Sequence, residues 1–223
     1  MTNSLFQKIT YQHTPKLWNK ILQIKPLLTD EDIKRYKSEW QKINETSTND
    51  ALKEHILTEW LINLFNTLFI CHNTILVRGE FKNGFDEPEY FPATVSKPAK
   101  IVFAHGFFAS ALHEISHWSI AGKYRRTLND FGYWYAPDGR THSQQQQFEQ
   151  VEIKPQAIEC LLTLACGRNF QISQDNLFAD FDTSKSTFEQ DVYKQAYTYL
   201  SKPDKLPKDA QALLITFVKI CLQ

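Results

Sequence analysis

The chain has 223 residues, enough for one domain with a real core and an appendage. Its 25 basic and 25 acidic side chains cancel, which excludes a broad polyanion-binding field and leaves no charge argument for a nucleic-acid partner. No run of about 18 apolar residues occurs and residues 1–16 lack the apolar segment of a signal peptide, so a cytoplasmic protein without a membrane partner is expected. Cys71, Cys160, Cys166 and Cys221 show no C-x-x-C spacing and read as reduced core thiols.

Residues 1–54 are polar and lysine-rich, and they read as a helical extension that packs but holds no catalytic group. Leu17, Trp18, Ile21 and Leu22 predict one short amphipathic helix. Asp30 is the expected cap of a second, with Ile33, Tyr36, Trp40 and Ile43 at spacings of three and four. A stronger helix is expected over residues 51–71, with Leu52, Ile56, Trp60, Leu64 and Leu68 on one face. Residues 74–77 then read as a strand. Residues 85–93 are acidic and aromatic, and Pro88 and Pro92 suit an edge strand or an extended loop. Their carboxylates, Asp86, Glu87 and Glu89, are either solvated charges or the rim of a cation-binding surface.

Residues 100–105 read as a short buried strand that ends at His105, and Gly106 supplies the turn into a helix. That helix carries His113-Glu114-Ile115-Ser116-His117. Positions i and i+4 share one helical face, so both imidazoles can reach one ion. Leu112, Ser116, Ser119 and Ile120 keep a small or apolar stripe, and Gly122 stands where a C-terminal cap is expected. Phe107, Phe108 and Trp118 are expected as an aromatic wall beside the histidines. Two histidines and a glutamate in such a helix are costly unless paired or metal-bound.

Beyond the motif, residues 130–135 alternate like a strand that ends in the Pro137-Asp138-Gly139 turn. A helix is expected over residues 145–166, with Phe148, Val151, Pro155, Ile158, Leu162 and Ala165 as its apolar stripe. Glu149, Glu152, Gln156 and Glu159 form the adjacent polar stripe. Pro155 must kink this helix or lie in its first turn, and Gly167 closes it. Helices at 188–200 and from residue 209 complete the chain.

A first-row metal needs a third protein ligand. No further histidine stands at a suitable spacing after His117, so Glu149 and Glu152 are the candidates. Two histidines and a carboxylate serve hydrolytic zinc, with Glu114 as the base that activates water. The same set serves non-haem iron(II) oxygenases. A zinc-dependent peptidase and a non-catalytic, metal-stabilised binding protein both remain open on ligand types alone.

Several blocks together resemble the bacterial elongation factor P hydroxylase family. They are Phe103-Ala104-His105-Gly106-Phe107, Ala109-Ser110-Ala111-Leu112-His113-Glu114-Ile115-Ser116-His117-Trp118, Ile120-Ala121-Gly122-Lys123 and Asp130-Phe131-Gly132-Tyr133-Trp134-Tyr135. Pro137-Asp138-Gly139-Arg140, Gln147-Phe148-Glu149, Val151-Glu152, Lys154-Pro155-Gln156-Ala157 and Asp175-Asn176-Leu177 also match, as do Asp86-Glu87-Pro88 and Tyr90. The resemblance spans about residues 73–200, and the first fifty or so residues depart from it. It implies a metal-dependent monooxygenase, with iron(II) and molecular oxygen, that hydroxylates the β-lysylated lysine of elongation factor P. It also implies an α+β fold: one compact zincin-like metal-binding domain with helices packed on a small sheet. The expected division is a helical N-terminal extension at 1–54 and a hydroxylase domain at 55–223. His113, His117 and a downstream glutamate would hold the metal. Glu152 is the choice, because a helix break at Lys154-Pro155 can bring its carboxylate to the histidines. Glu114 would assist proton delivery, and His105, Glu149 and Tyr135 would face substrate. The acidic segment Asp86, Glu87 and Glu89 would receive the cationic lysyl arm.

Overall fold

The computed structural model describes residues 4–46, 49–80, 87–132, 139–174, 176, 181–182 and 186–222. In chain order these form α1 (Ser4–Gln7), α2 (Pro15–Ile21), α3 (Asp30–Glu45), α4 (Asp50–Leu68), β1 (Thr74–Arg78), β2 (Glu89–Phe91) and β3 (Ala99–Phe103). Helices α5 (Phe108–Arg125), α6 (His142–Ala165), α7 (Phe188–Ser201) and α8 (Lys208–Phe217) follow, and a π-helical turn, Val218–Leu222, succeeds α8. The architecture is α+β, mostly helical, with a three-stranded sheet.

Short polar side chains open α3, α4 and α6 by accepting an orphan backbone N–H. Thr29, not the expected Asp30, caps α3: its hydroxyl accepts from the Asp32 N–H at 3.1 Å. Asp30 instead lies in the acidic first turn, where it favours the positive end of the helix dipole. Asn49 caps α4, and Thr141 forms a capping box with Gln144 at the head of α6.

The sheet has the order β1-β3-β2. β1 runs parallel to β3, and β2 runs antiparallel to it on the other edge. Ala99, Ile101 and Phe103 alternate inward along β3, and the edge position of β2 fits its flanking prolines. β3 leads through a tight turn into α5. His105 and Gly106 both hold left-handed φ, 57° and 70°. The Gly106 carbonyl accepts from the Arg78 guanidinium, and a Cβ at Gly106 would collide with that group.

Helix α5 lies between β3, α4 and α6. Gly122, at φ 69°, breaks the helical conformation where the cap was expected, although one more turn continues to Arg125. Helix α4 departs from its expected single stripe. Leu52 is exposed, and Leu57, Leu61 and Phe65 join Trp60, Leu64 and Leu68 in the core. The helix packs against α3, α5 and β1 at once, so more than one face is covered. The expected strand at 130–135 is not formed in its described part. Residues Asn129–Gly132 make a 3₁₀ turn with Asp130 and Phe131 at positive φ, and residues 133–135 lie outside the described residues. Tertiary bonds override the strand pattern there. Asp130 accepts from the Tyr90 N–H at 2.8 Å, and Phe131 stacks on the Tyr90 ring at 4.1 Å.

The core is continuous with the N-terminal helices. Ile9, Trp18, Ile21, Ile33, Tyr36 and Trp40 belong to the same apolar cluster as the residues of α5 to α8. No helix among the described residues is long and apolar enough to cross a membrane.

Candidate metal centre

Helix α6 buries more than its expected apolar stripe: Pro155, Ile158, Leu162 and Ala165 are buried as expected, but so is much of the polar stripe. Val151, placed in the apolar stripe, is exposed. Gln145, Glu152, Gln156, Glu159 and Thr163, spaced by three, four and seven, are buried. Buried polar groups at helical spacing need partners, and α5 supplies them. Pro155 does not lie in the first turn: it sits inside a continuous 24-residue helix.

The two histidines of α5 meet this polar stripe. Their Nε2 atoms stand 3.1 Å apart. His117 Nε2 is 3.1 Å from Glu152 Oε1, and His113 Nε2 is 3.8 Å from Glu152 Oε2. His113, His117 and Glu152 each offer a ligand atom, and these atoms lie within 4.8 Å of one another. At bond lengths of about 2.1 Å, two ligands of one ion are roughly 3.0 Å apart at a right angle and about 3.4 Å apart at the tetrahedral angle. The donor set therefore fits a single first-row ion with small adjustments.

Two further contacts complete the cluster. His113 Nδ1 lies 2.9 Å from Glu159 Oε2, on the side of the ring away from the shared ligand face. Gln156 donates to Glu152 Oε2 at 3.3 Å. Burial pushes the His113 pKa down, but the Glu159 carboxylate, with help from Glu152 and Glu114, holds it up to about 10. Burial pushes Glu152 up, and His117, His113 and the Gln156 amide overcome it and hold the carboxyl down to about 2. Glu114 is raised, chiefly by burial, with the histidines opposing and Glu152 and Glu159 reinforcing the rise. In the absence of an ion the cluster is thus an imidazolium between carboxylates.

The other expected site residues lie elsewhere. Glu149 sits one turn before Glu152, half-buried, and accepts from Gln145 at 3.2 Å, Gln174 at 3.4 Å and the Ser186 hydroxyl at 2.8 Å. His105 is exposed in the turn before α5. Glu87 and Glu89 are exposed at the start of β2. Asp86, Trp134 and Tyr135 lie outside the described residues. The expected aromatic wall does not form around the histidines. Phe107 is exposed, Phe108 packs near Trp40, and Trp118 packs on Phe65 and Phe69. Glu159 went unnoticed as a site residue, counted as one more member of a polar stripe. Its signal was the 152-156-159 spacing, which repeats the period of the ligand face.

Helix α5 is fixed at both ends. Its cap position, Phe107, offers no side-chain bond, and Glu54 of α4 accepts from the Phe108 N–H at 2.9 Å instead. The same carboxylate accepts from Arg168 at 2.6 Å, and that guanidinium lies over the Phe108 ring. At the far end Arg126 stacks on Trp118 at 3.6 Å, donates to the Trp118 carbonyl, and pairs with Asp209 of α8 at 2.5 Å.

Comparison with known proteins bears on this geometry. The family described as elongation factor P hydroxylase matches residues 64–221. A Haemophilus influenzae protein named elongation factor P lysine hydroxylase is 48% identical over 162 residues, which cover 72% of this chain and 86% of that protein.

Proposed function

The chain belongs to the elongation factor P hydroxylase family, and we propose that it hydroxylates a lysine side chain of elongation factor P at a metal held by His113, His117 and Glu152. The convergence of those three side chains across α5 and α6 carries the reading. Two imidazoles and one carboxylate leave coordination positions open and suit iron(II). When bound, that ion supplies the redox chemistry by which molecular oxygen hydroxylates an unactivated carbon.

The protein side chains then have separable tasks. His113 and His117 present Nε2 lone pairs, and Glu152 presents Oε1. Burial raises the Glu114 carboxyl above the usual carboxylate range, which suits the role of assisting proton delivery. Glu149, one turn away, faces the incoming amine. The lysine is taken to carry a β-lysyl group, whose extra ammonium the exposed carboxylates Glu87 and Glu89 complement in charge. His105 is assigned to contact the same substrate. The motif helix beside a small sheet supports a zincin-like frame, with α1 to α3 as a helical extension packed onto the catalytic unit; the expected boundary at 54/55 falls inside α4. A translation factor as substrate supports a cytoplasmic location.

The test is the mass of elongation factor P, with and without the β-lysyl group, after incubation with this protein, iron(II), oxygen and a reductant. A gain of one oxygen atom on the modified lysine is expected. Cleavage of the backbone would replace this reading by a zinc peptidase, and no covalent change would replace it by a binding protein.

A further inference from the structure

Glu159 is a buried carboxylate with an unusual partner. It is 8% exposed, and its side chain meets His113 Nδ1 at 2.9 Å. Burying a carboxylate costs several kcal/mol unless it is paired. Packing alone would be served by an apolar residue, as it is by the neighbouring Ile158, Leu161 and Leu162. Gln156 is as constrained. It is fully buried, its amide N–H donates to the Ser173 carbonyl at 2.8 Å, and its carbonyl accepts from the Ser173 N–H at 3.1 Å. Those two backbone bonds fix which end of the amide is nitrogen and aim its remaining N–H at Glu152 Oε2, 3.3 Å away.

We infer that Glu159 and Gln156 are positioning residues for the metal ligands: Glu159 holds the proton on His113 Nδ1 so that Nε2 is free to ligate, and Gln156 holds Glu152 Oε2 so that Oε1 faces the ion. The inference rests on the metal reading above. It makes α6 both a ligand donor and the mould for two ligands, through positions 152, 156 and 159. A ligating imidazole whose other nitrogen donates to a carboxylate is fixed in tautomer and ring orientation and is more basic. Charge agrees as well: Glu152 and Glu159 together carry the two negative charges that a divalent cation neutralises.

The test is cobalt(II) binding to the full-length protein, followed by its visible absorption and by competition with a chelator of known affinity. Glu159→Gln keeps the size of the side chain and removes the charge. Gln156→Met keeps the volume and removes the donor. Each is expected to weaken cobalt affinity by about 10- to 100-fold, the usual effect of removing such an outer partner. The nitrogen chemical shifts of His113 in the zinc-loaded protein provide a readout that a merely structural role would not move. Wild type should show protonated Nδ1 and a ligating Nε2, and Glu159→Gln should show a mixture. His117→Ala separates the two levels of the argument. If it binds cobalt as well as wild type, the metal reading fails. If it loses cobalt while Glu159→Gln and Gln156→Met bind at wild-type affinity with unchanged shifts, the positioning inference alone fails. Should Glu159→Gln not fold, Gln156→Met decides by its own affinity.

Discussion

Glu54→Gln is a direct test of how the histidine-bearing helix is held. The Glu54 carboxylate takes the Phe108 N–H at 2.9 Å and Arg168 at 2.6 Å, with 24% of the Glu54 side chain and 32% of Arg168 exposed. A hydrogen bond to a charged group contributes about 1.5–3 kcal/mol, and a partly exposed ion pair about 0.2–1 kcal/mol. Glutamine keeps one acceptor oxygen, so it can serve Phe108 or Arg168 but not both as well as before. A loss of about 2 kcal/mol follows. For a chain of this length each kcal/mol moves the melting temperature by roughly 2–4 °C, so a drop of about 4–8 °C is expected. Urea unfolding should show a lower midpoint with an unchanged slope, because the surface exposed on unfolding is the same. A loss below about 0.5 kcal/mol, the range of ordinary surface substitutions, would refute the idea that α4 caps α5.

Glu152→Gln is expected to lose bound iron(II) in anaerobic titration, while Glu149→Gln keeps most of it; the reverse order would exchange their roles. In the metal-free protein His113 has its pKa raised from 6.5 to about 10, so the stability it contributes is complete below about pH 6.5 and is lost as pH rises through about 10. Thermal melts in chelator should therefore fall across that window, and a flat profile would show that the imidazolium is not held by Glu159. Charge reversal at Asp86, Glu87 and Glu89 should weaken binding of β-lysylated elongation factor P, most at low ionic strength; unchanged affinity in low salt would mark the segment as a solvated loop.

Most elements were readable because their determinants are local. The β3 alternation, the prolines around β2, and Gly122 after the motif each act within a few residues. The α6 faces were not readable in the same way. Hydrophobic periodicity assumes that polar positions seek water, and here Glu152, Gln156 and Glu159 are turned inward by partners 35–46 residues earlier on α5 and by Ser173 downstream. Pro155 invited a break, yet the helix runs through it because packing on α5, α7 and α8 outweighs one missing backbone bond. The histidine pair was visible from spacing alone. Glu152 was the choice over Glu149 on the expected break at Pro155, but what brings it to the histidines is the rotation of a continuous α6, which no local pattern encodes. Residues 130–132 failed as a strand for a related reason, since Tyr90 lies about 40 positions upstream.

Helix α3 packs against the turn Val218–Leu222, joining segments that lie almost a full chain length apart. During synthesis α3 has no such surface to rest on until that turn has been made, so this contact is a late step of folding. Its apolar face, with Ile33, Tyr36 and Trp40, stays uncovered on that side in the meantime. Until then that face of α3 is open to proteases and to chaperones, although Tyr36 and Trp40 can already pack on Trp60 of α4.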